Sequence, residues 1–112
     1  MSFDIFSKLP LSESCRLIDF ENAEVVGGIV QGTYFLVVGG TAPCQNMTVK
    51  LAPRVYPTRP EYWGIEVVGC LPGGICLPAT RPYVESTPLA GITGTKGIEV
   101  IGASGSQKFD VP

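Results

Sequence analysis

The chain contains no histidine. That single absence removes the Ser-His-Asp and Cys-His nucleophilic engines, imidazole acid–base work and every metal site built on imidazole. Charge is also sparse, at 16% of residues with a formal net charge of −2. The eight Lys and Arg are scattered and form no stripe that could neutralise a run of phosphates, so no nucleic-acid partner is expected. Long hydrophobic runs are missing too. Tyr34–Val38, five residues, is the longest and is far too short to span a bilayer, so no membrane partner is expected.

The segment Met1-Ser2-Phe3-Asp4-Ile5-Phe6 carries an acid and lacks the basic start and long apolar centre of a secretory signal, which leads to the expectation of a cytoplasmic protein. Cys15, Cys44, Cys70 and Cys76 contain no C-x-x-C pair, which argues against a zinc ribbon or a thioredoxin-type couple. No phosphate loop and no cofactor motif is found, and neither a metal nor a cofactor is expected.

What the chain does have is the signature of short strands between turns. At 112 residues it fits one domain, and 45% hydrophobic residues suffice for a core. Its 14 glycines and 10 prolines follow no period and suit a fold with many turns. Gly64-Ile65-Glu66-Val67-Val68-Gly69 is nearly repeated as Gly97-Ile98-Glu99-Val100-Ile101-Gly102, with a looser copy at Ala23-Glu24-Val25-Val26-Gly27. In the two close copies Ile65 and Val67, like Ile98 and Val100, share one face, while Glu66 and Glu99 lie on the other. Met47, Val49 and Leu51 alternate with Asn46, Thr48 and Lys50, the period of a half-buried strand. Tyr34–Val38 lacks alternation and reads as a central strand or one covered on both faces.

Strands are expected at Arg16–Phe20, Val25–Val30, Thr33–Val38, Met47–Ala52 and Trp63–Cys70. Weaker signals lie at Gly74–Leu77, Tyr83–Glu85, Gly97–Ala103 and Lys108–Val111. No helical period of twelve residues occurs. The fold class is therefore all-β, an antiparallel β-sandwich of about seven to nine short strands with immunoglobulin-like architecture, or else a small β-barrel. The usual Cys-Trp-Cys spacing of immunoglobulin domains is absent around Trp63, so no family follows. Residues 1–14, with Phe3, Ile5, Phe6, Leu9 and Leu11, read as an N-terminal arm or short helix, folded back or docked on a neighbouring subunit. Residues 15–112 form the sandwich domain.

The best candidate site is the segment 53–63, where Pro53, Pro57 and Pro60 hold the chain extended. Arg54, Tyr56, Arg59, Tyr62 and Trp63 are the residue types enriched where proteins bind partners. The plainer reading is a strand connection whose rings cap the core. Cys70 and Cys76 flank Pro72-Gly73-Gly74 and could bridge across a hairpin neck as a disulfide, although buried reduced thiols are the simpler state for a cytoplasmic chain. Asn46-Met47-Thr48 matches the glycosylation sequon and, with no secretory route expected, reads as a chance match. Glu66 and Glu99 are read as solvated strand residues in preference to a catalytic pair.

The expectation is therefore a non-enzymatic structural or protein-interaction module that binds a protein partner or itself. A small-ligand or carbohydrate-binding module using the rings of segment 53–63 is the alternative. A cysteine-based redox or metal protein comes third.

Overall fold

The structure, a computed structural model, describes residues 13–112. Among them are eight strands and no helix: β1 (Glu13–Leu17), β2 (Asn22–Gly27), β3 (Tyr34–Ala42), β4 (Thr48–Pro53), β5 (Tyr62–Pro72), β6 (Arg81–Pro88), β7 (Gly97–Ile101) and β8 (Ser106–Asp110). Among the described residues no helix is long and apolar enough to cross a membrane. The arm expected over residues 1–14 falls almost wholly outside the described residues, and β1 begins at Glu13.

The protein is all-β, and its hydrogen bonds divide the strands into two sheets instead of closing them into one barrel. The five-stranded sheet is built on β5. One edge of β5 takes β4, and the other takes β1 beside Val68–Pro72 and β7 beside Tyr62–Glu66, with β8 outside β7. The three-stranded sheet has the order β2-β3-β6, so the Tyr34–Val38 strand is central. It is not covered on both faces, because Leu36 and Val38 are buried while Phe35 is exposed.

One pairing departs from the antiparallel expectation: β5 and β7 run parallel. The chain leaves β5, crosses to the other sheet as β6, and returns, so the two strands point the same way without the usual crossover helix. These are the two copies of the repeated hexapeptide. They pair with a two-residue stagger, Ile65 opposite Val100 and Trp63 opposite Ile98. Because the side-chain period is also two, the stagger keeps Ile65 and Val67 on the same face as Ile98 and Val100, with Val68 and Ile101 on the other. Ile65, Val67, Ile98 and Val100 are fully buried, and Glu66 and Glu99 lie on the opposite, half-buried side.

A single apolar core unites the sheets: Met47, Val49, Ile65, Val67, Ile98 and Val100 on one side meet Leu36, Val38, Ala42, Tyr83 and Leu89 on the other. Burying the Val67 side chain alone is worth about 1.5–3 kcal/mol. The Tyr83 ring brings a hydroxyl into this core, and its hydroxyl donates to the Asp19 carbonyl at 2.8 Å. Burial, reinforced by the charges of Glu21 and Asp19, raises its pKa above the ordinary tyrosine value.

All four cysteines are joined, but not as the sequence suggested. Cys15 bonds Cys70, its direct cross-strand partner between β1 and β5, and Cys44 bonds Cys76. Cys70 and Cys76 are not partners because the Gly73-Gly74 turn does not lead back along β5. Residues 75–80 run across to β6 in the other sheet, so the expected strand at Gly74–Leu77 is absent as well. The Asn46 side chain holds this crossing, with Nδ2 donating to the Ile75 carbonyl at 2.7 Å and Oδ1 accepting from the Leu77 amide at 3.0 Å. Arg81 adds bonds to the carbonyls of Gln45 and Met47. The asparagine of the sequon is thus a structural brace in the folded chain.

Candidate functional site

Both cystines, Asn46 and Arg81 lie at the end of the molecule where β3 and β5 finish. The opposite end is where β3 and β5 begin, and it is built differently. Here β2 turns into β3 through residues 28–33, closed by Gly28 N–H donating to the Thr33 carbonyl at 2.8 Å, with Gly32 at φ 84°, a left-handed conformation that favours glycine. β2 was expected to run to Val30. It ends at Gly27, and Ile29 and Val30 stand at the hairpin tip, 106% and 68% exposed.

The proline-rich connection from β4 to β5 faces this tip. Its hold on the fold comes from Arg59, whose guanidinium donates to the carbonyls of Thr93 (2.9 Å) and Gly94 (3.1 Å). The backbones of the two loops also bond directly, Thr95 N–H to the Pro60 carbonyl and Lys96 N–H to that of Glu61. Gly94 lies so close that a Cβ there would sit 2.3 Å from the Glu61 carbonyl oxygen, so only glycine fits this clamp.

Tyr56 and Trp63 meet edge to face, with ring centroids 5.1 Å apart and planes at 78°. Their polar atoms are turned inward: Trp63 Nε1 donates to the Arg54 carbonyl at 2.9 Å, and the Tyr56 hydroxyl accepts from the Gly64 amide at 3.1 Å. Both rings are half-buried, with Trp63 also packed against the core.

Between these walls lies a cavity of about 770 Å³, within the roughly 300–1,000 Å³ range of ligand pockets. The hairpin supplies Ile29, Val30 and Phe35, the proline-rich loop and start of β5 supply Tyr56, Arg59 and Trp63, and the end of β6 with the residue after it supplies Pro88 and Leu89. Val111 and Pro112 complete it. Among the described residues Arg59 is its one charged side chain, and the hydrogen bonds to the Thr93 and Gly94 carbonyls already engage it. The wall is otherwise mostly apolar, with Thr33 and Thr93 among its polar side chains.

Three of the five residues singled out from the sequence therefore share the cavity, and two do not. Tyr62 precedes Trp63 in β5, and successive residues of a strand face opposite ways. Its hydroxyl donates to Asp110 Oδ1 at 2.6 Å, and Lys108 Nζ sits 5.0 Å from its ring centre. The bond to Asp110 raises the Tyr62 pKa above its ordinary value. Arg54 pairs with Glu66 at 3.0 Å, a half-exposed ion pair that raises the guanidinium pKa further. Such a pair contributes at most about 1 kcal/mol. A coplanar platform of Tyr56, Tyr62 and Trp63 for stacking a sugar is not formed.

Glu99 accepts from the Ser106 hydroxyl at 2.7 Å within its own hairpin, so neither repeat glutamate faces the cavity. Among the described residues no group of three or more His, Cys, Asp or Glu could hold a metal ion. Comparison with protein-family models, curated proteins and solved structures finds no match for this chain.

Proposed function

We propose that the chain is a non-enzymatic β-sandwich binding module whose open end accepts an apolar segment of a protein. The observation that carries this reading is the cavity itself: an apolar hollow between Trp63, Tyr56, Phe35 and Leu89, with Ile29 and Val30 exposed on its rim. Large aliphatic side chains left exposed at a hairpin tip contribute nothing to folding and become favourable when a partner covers them. Two sheets packed on one core give the module its frame, and the clamp between residues 59–61 and 93–97 keeps one wall of the cavity formed before binding, which lowers the entropy lost on docking.

The pairing of all four cysteines supports work in an oxidising compartment over the cytoplasmic one expected from the N-terminal composition. It also leaves no thiolate for the redox or metal reading. The carbohydrate reading is weakened by the T-shaped ring pair and by polar atoms already committed within the protein.

Trp63 is the only tryptophan, so its emission reports on the cavity. Titrating dilute protein with an anilinonaphthalene sulfonate dye is expected to quench that emission saturably, with one site per chain. Absence of saturable binding by the native protein would overturn the proposal, and a change in Trp63 emission on adding simple sugars would restore the carbohydrate reading.

A further inference from the structure

The direction of the chain identifies an occupant for this cavity. β1 runs antiparallel to β5, with Glu13 opposite Pro72 and Leu17 opposite Val68. The residues preceding Glu13 therefore start from the braced end, while the cavity lies at the other end, beyond Tyr62 and Trp63. The eleven residues of β5 separate the two by roughly 33 Å. Drawn fully taut, the ten residues that separate Phe3 from Glu13 reach about 35 Å. To return to the cavity of its own chain, the segment would have to reverse at Glu13 and run almost straight along the whole molecule, and of residues 3–11 only those around Phe3 would arrive.

The same segment is strongly apolar in sequence. Phe3, Ile5, Phe6, Leu9 and Leu11 stand among eleven residues whose charges, Asp4 and Lys8, cancel. A neutral, aromatic and aliphatic segment matches a cavity whose single guanidinium is already engaged. We infer that the cavity is filled by residues 3–11 of a second copy of this chain. This rests on the reading of the open end as a binding site. Because donor segment and acceptor cavity are at opposite ends, the contact is heterologous; it closes by reciprocal exchange or in a ring, or continues as a chain of copies.

Two variants separate the two halves of the contact. Phe3→Ser/Phe6→Ser removes the donor and leaves the cavity intact. Ile29→Asp/Val30→Asp spoils the acceptor at exposed positions and leaves the donor intact. Sedimentation equilibrium of the native chain should give at least twice the monomer mass of 11.9 kDa at the higher concentrations, with dissociation on dilution. Each variant alone should stay at 11.9 kDa with an unchanged melting curve, and an equimolar mixture of the two should form a one-to-one complex. A monomeric native chain, association of either variant alone, or a mixture that does not associate overturns the inference. Dye binding to the Phe3→Ser/Phe6→Ser protein distinguishes the failures. If that protein binds dye but the mixture stays monomeric, the cavity is a binding site for something other than this segment. If it binds no dye, the reading of the site falls as well.

Discussion

The two ends of this molecule are held by different means. At the braced end, Cys15–Cys70 ties β1 to β5, Cys44–Cys76 ties the exit of β3 to the crossing after β5, and Asn46 and Arg81 fill in with side-chain bonds to backbone. At the open end no covalent tie occurs, and a hairpin, a proline-rich loop and a turn are joined by hydrogen bonds around an apolar hollow. A small fold with one end locked can leave apolar surface at the other without losing its register. Exposed Ile29 and Val30 would be a liability in a chain whose strands were free to slip.

The largest expected effect tests the braced end. In the chain-entropy account, links across 55 and 32 residues each contribute about 4 kcal/mol, less any distortion of the native state. Urea melts with and without a reductant should therefore differ by several kcal/mol, and the unreduced protein should present no thiol to a maleimide reagent under denaturing conditions. Identical melts would make the two ends alike and undo the contrast.

A smaller effect is expected in the layer that both ends share. Val67→Ala and Val100→Ala should each cost about 2 kcal/mol, since both side chains are fully buried. Glu66→Gln and Glu99→Gln should stay within about 0.5 kcal/mol. Denaturant midpoints that reversed this order would mean that the register of the parallel pair is inverted.

At the open end, Gly94→Ala forces a Cβ against the Glu61 carbonyl and should cost about 1–3 kcal/mol. Its dye affinity should fall along with its stability, because the clamp carries the proline-rich wall. Full affinity in a destabilised variant would separate the clamp from the site.

The smallest of these effects depends on pH. Tyr83 has a raised pKa in the folded chain, so its contribution is fully present below the unfolded value of about 10 and is lost as pH rises through the folded value. Stability of the native protein should drop more steeply above pH 10 than that of Tyr83→Phe. At neutral pH the same substitution should cost about 1 kcal/mol, through the lost bond to the Asp19 carbonyl. Parallel alkaline melts of the two proteins check both points.

How much of this was legible beforehand depends on how local each signal is. Most strands could be found from β-branched runs between glycine and proline, and the buried faces of β4, β5 and β7 followed from period-two alternation; β1 holds no β-branched residue, and the strand expected at Arg16–Phe20 lies three residues beyond the observed Glu13–Leu17. The false strand at Gly74–Leu77 had the right composition, but Asn46 and Cys44, some thirty residues upstream, hold that backbone elsewhere. Cysteine pairing was not legible for the same reason: Cys70 and Cys76 are near in sequence, while Cys15 becomes near only through sheet register. Tyr56, Arg59 and Trp63 stood out in the proline-rich loop, whereas Phe35, Leu89 and Val111 reach the cavity from three other parts of the chain with no common motif. The separation of Tyr62 from Trp63 was available from strand parity alone, since adjacent residues cannot share a face.

The most direct test of the account is dye titration followed by Trp63 emission in dilute native protein, Ile29→Asp/Val30→Asp and Val84→Asp. Val84 is 70% exposed but lies on β6 away from the cavity, so it controls for loss of exposed apolar surface in general. All three proteins should melt within about 0.5 kcal/mol of one another, as exposed substitutions do. The account predicts that native protein and Val84→Asp bind alike, while Ile29→Asp/Val30→Asp loses on the order of tenfold in affinity, about 1.4 kcal/mol. Equal binding by all three, or loss in Val84→Asp alone, would contradict it.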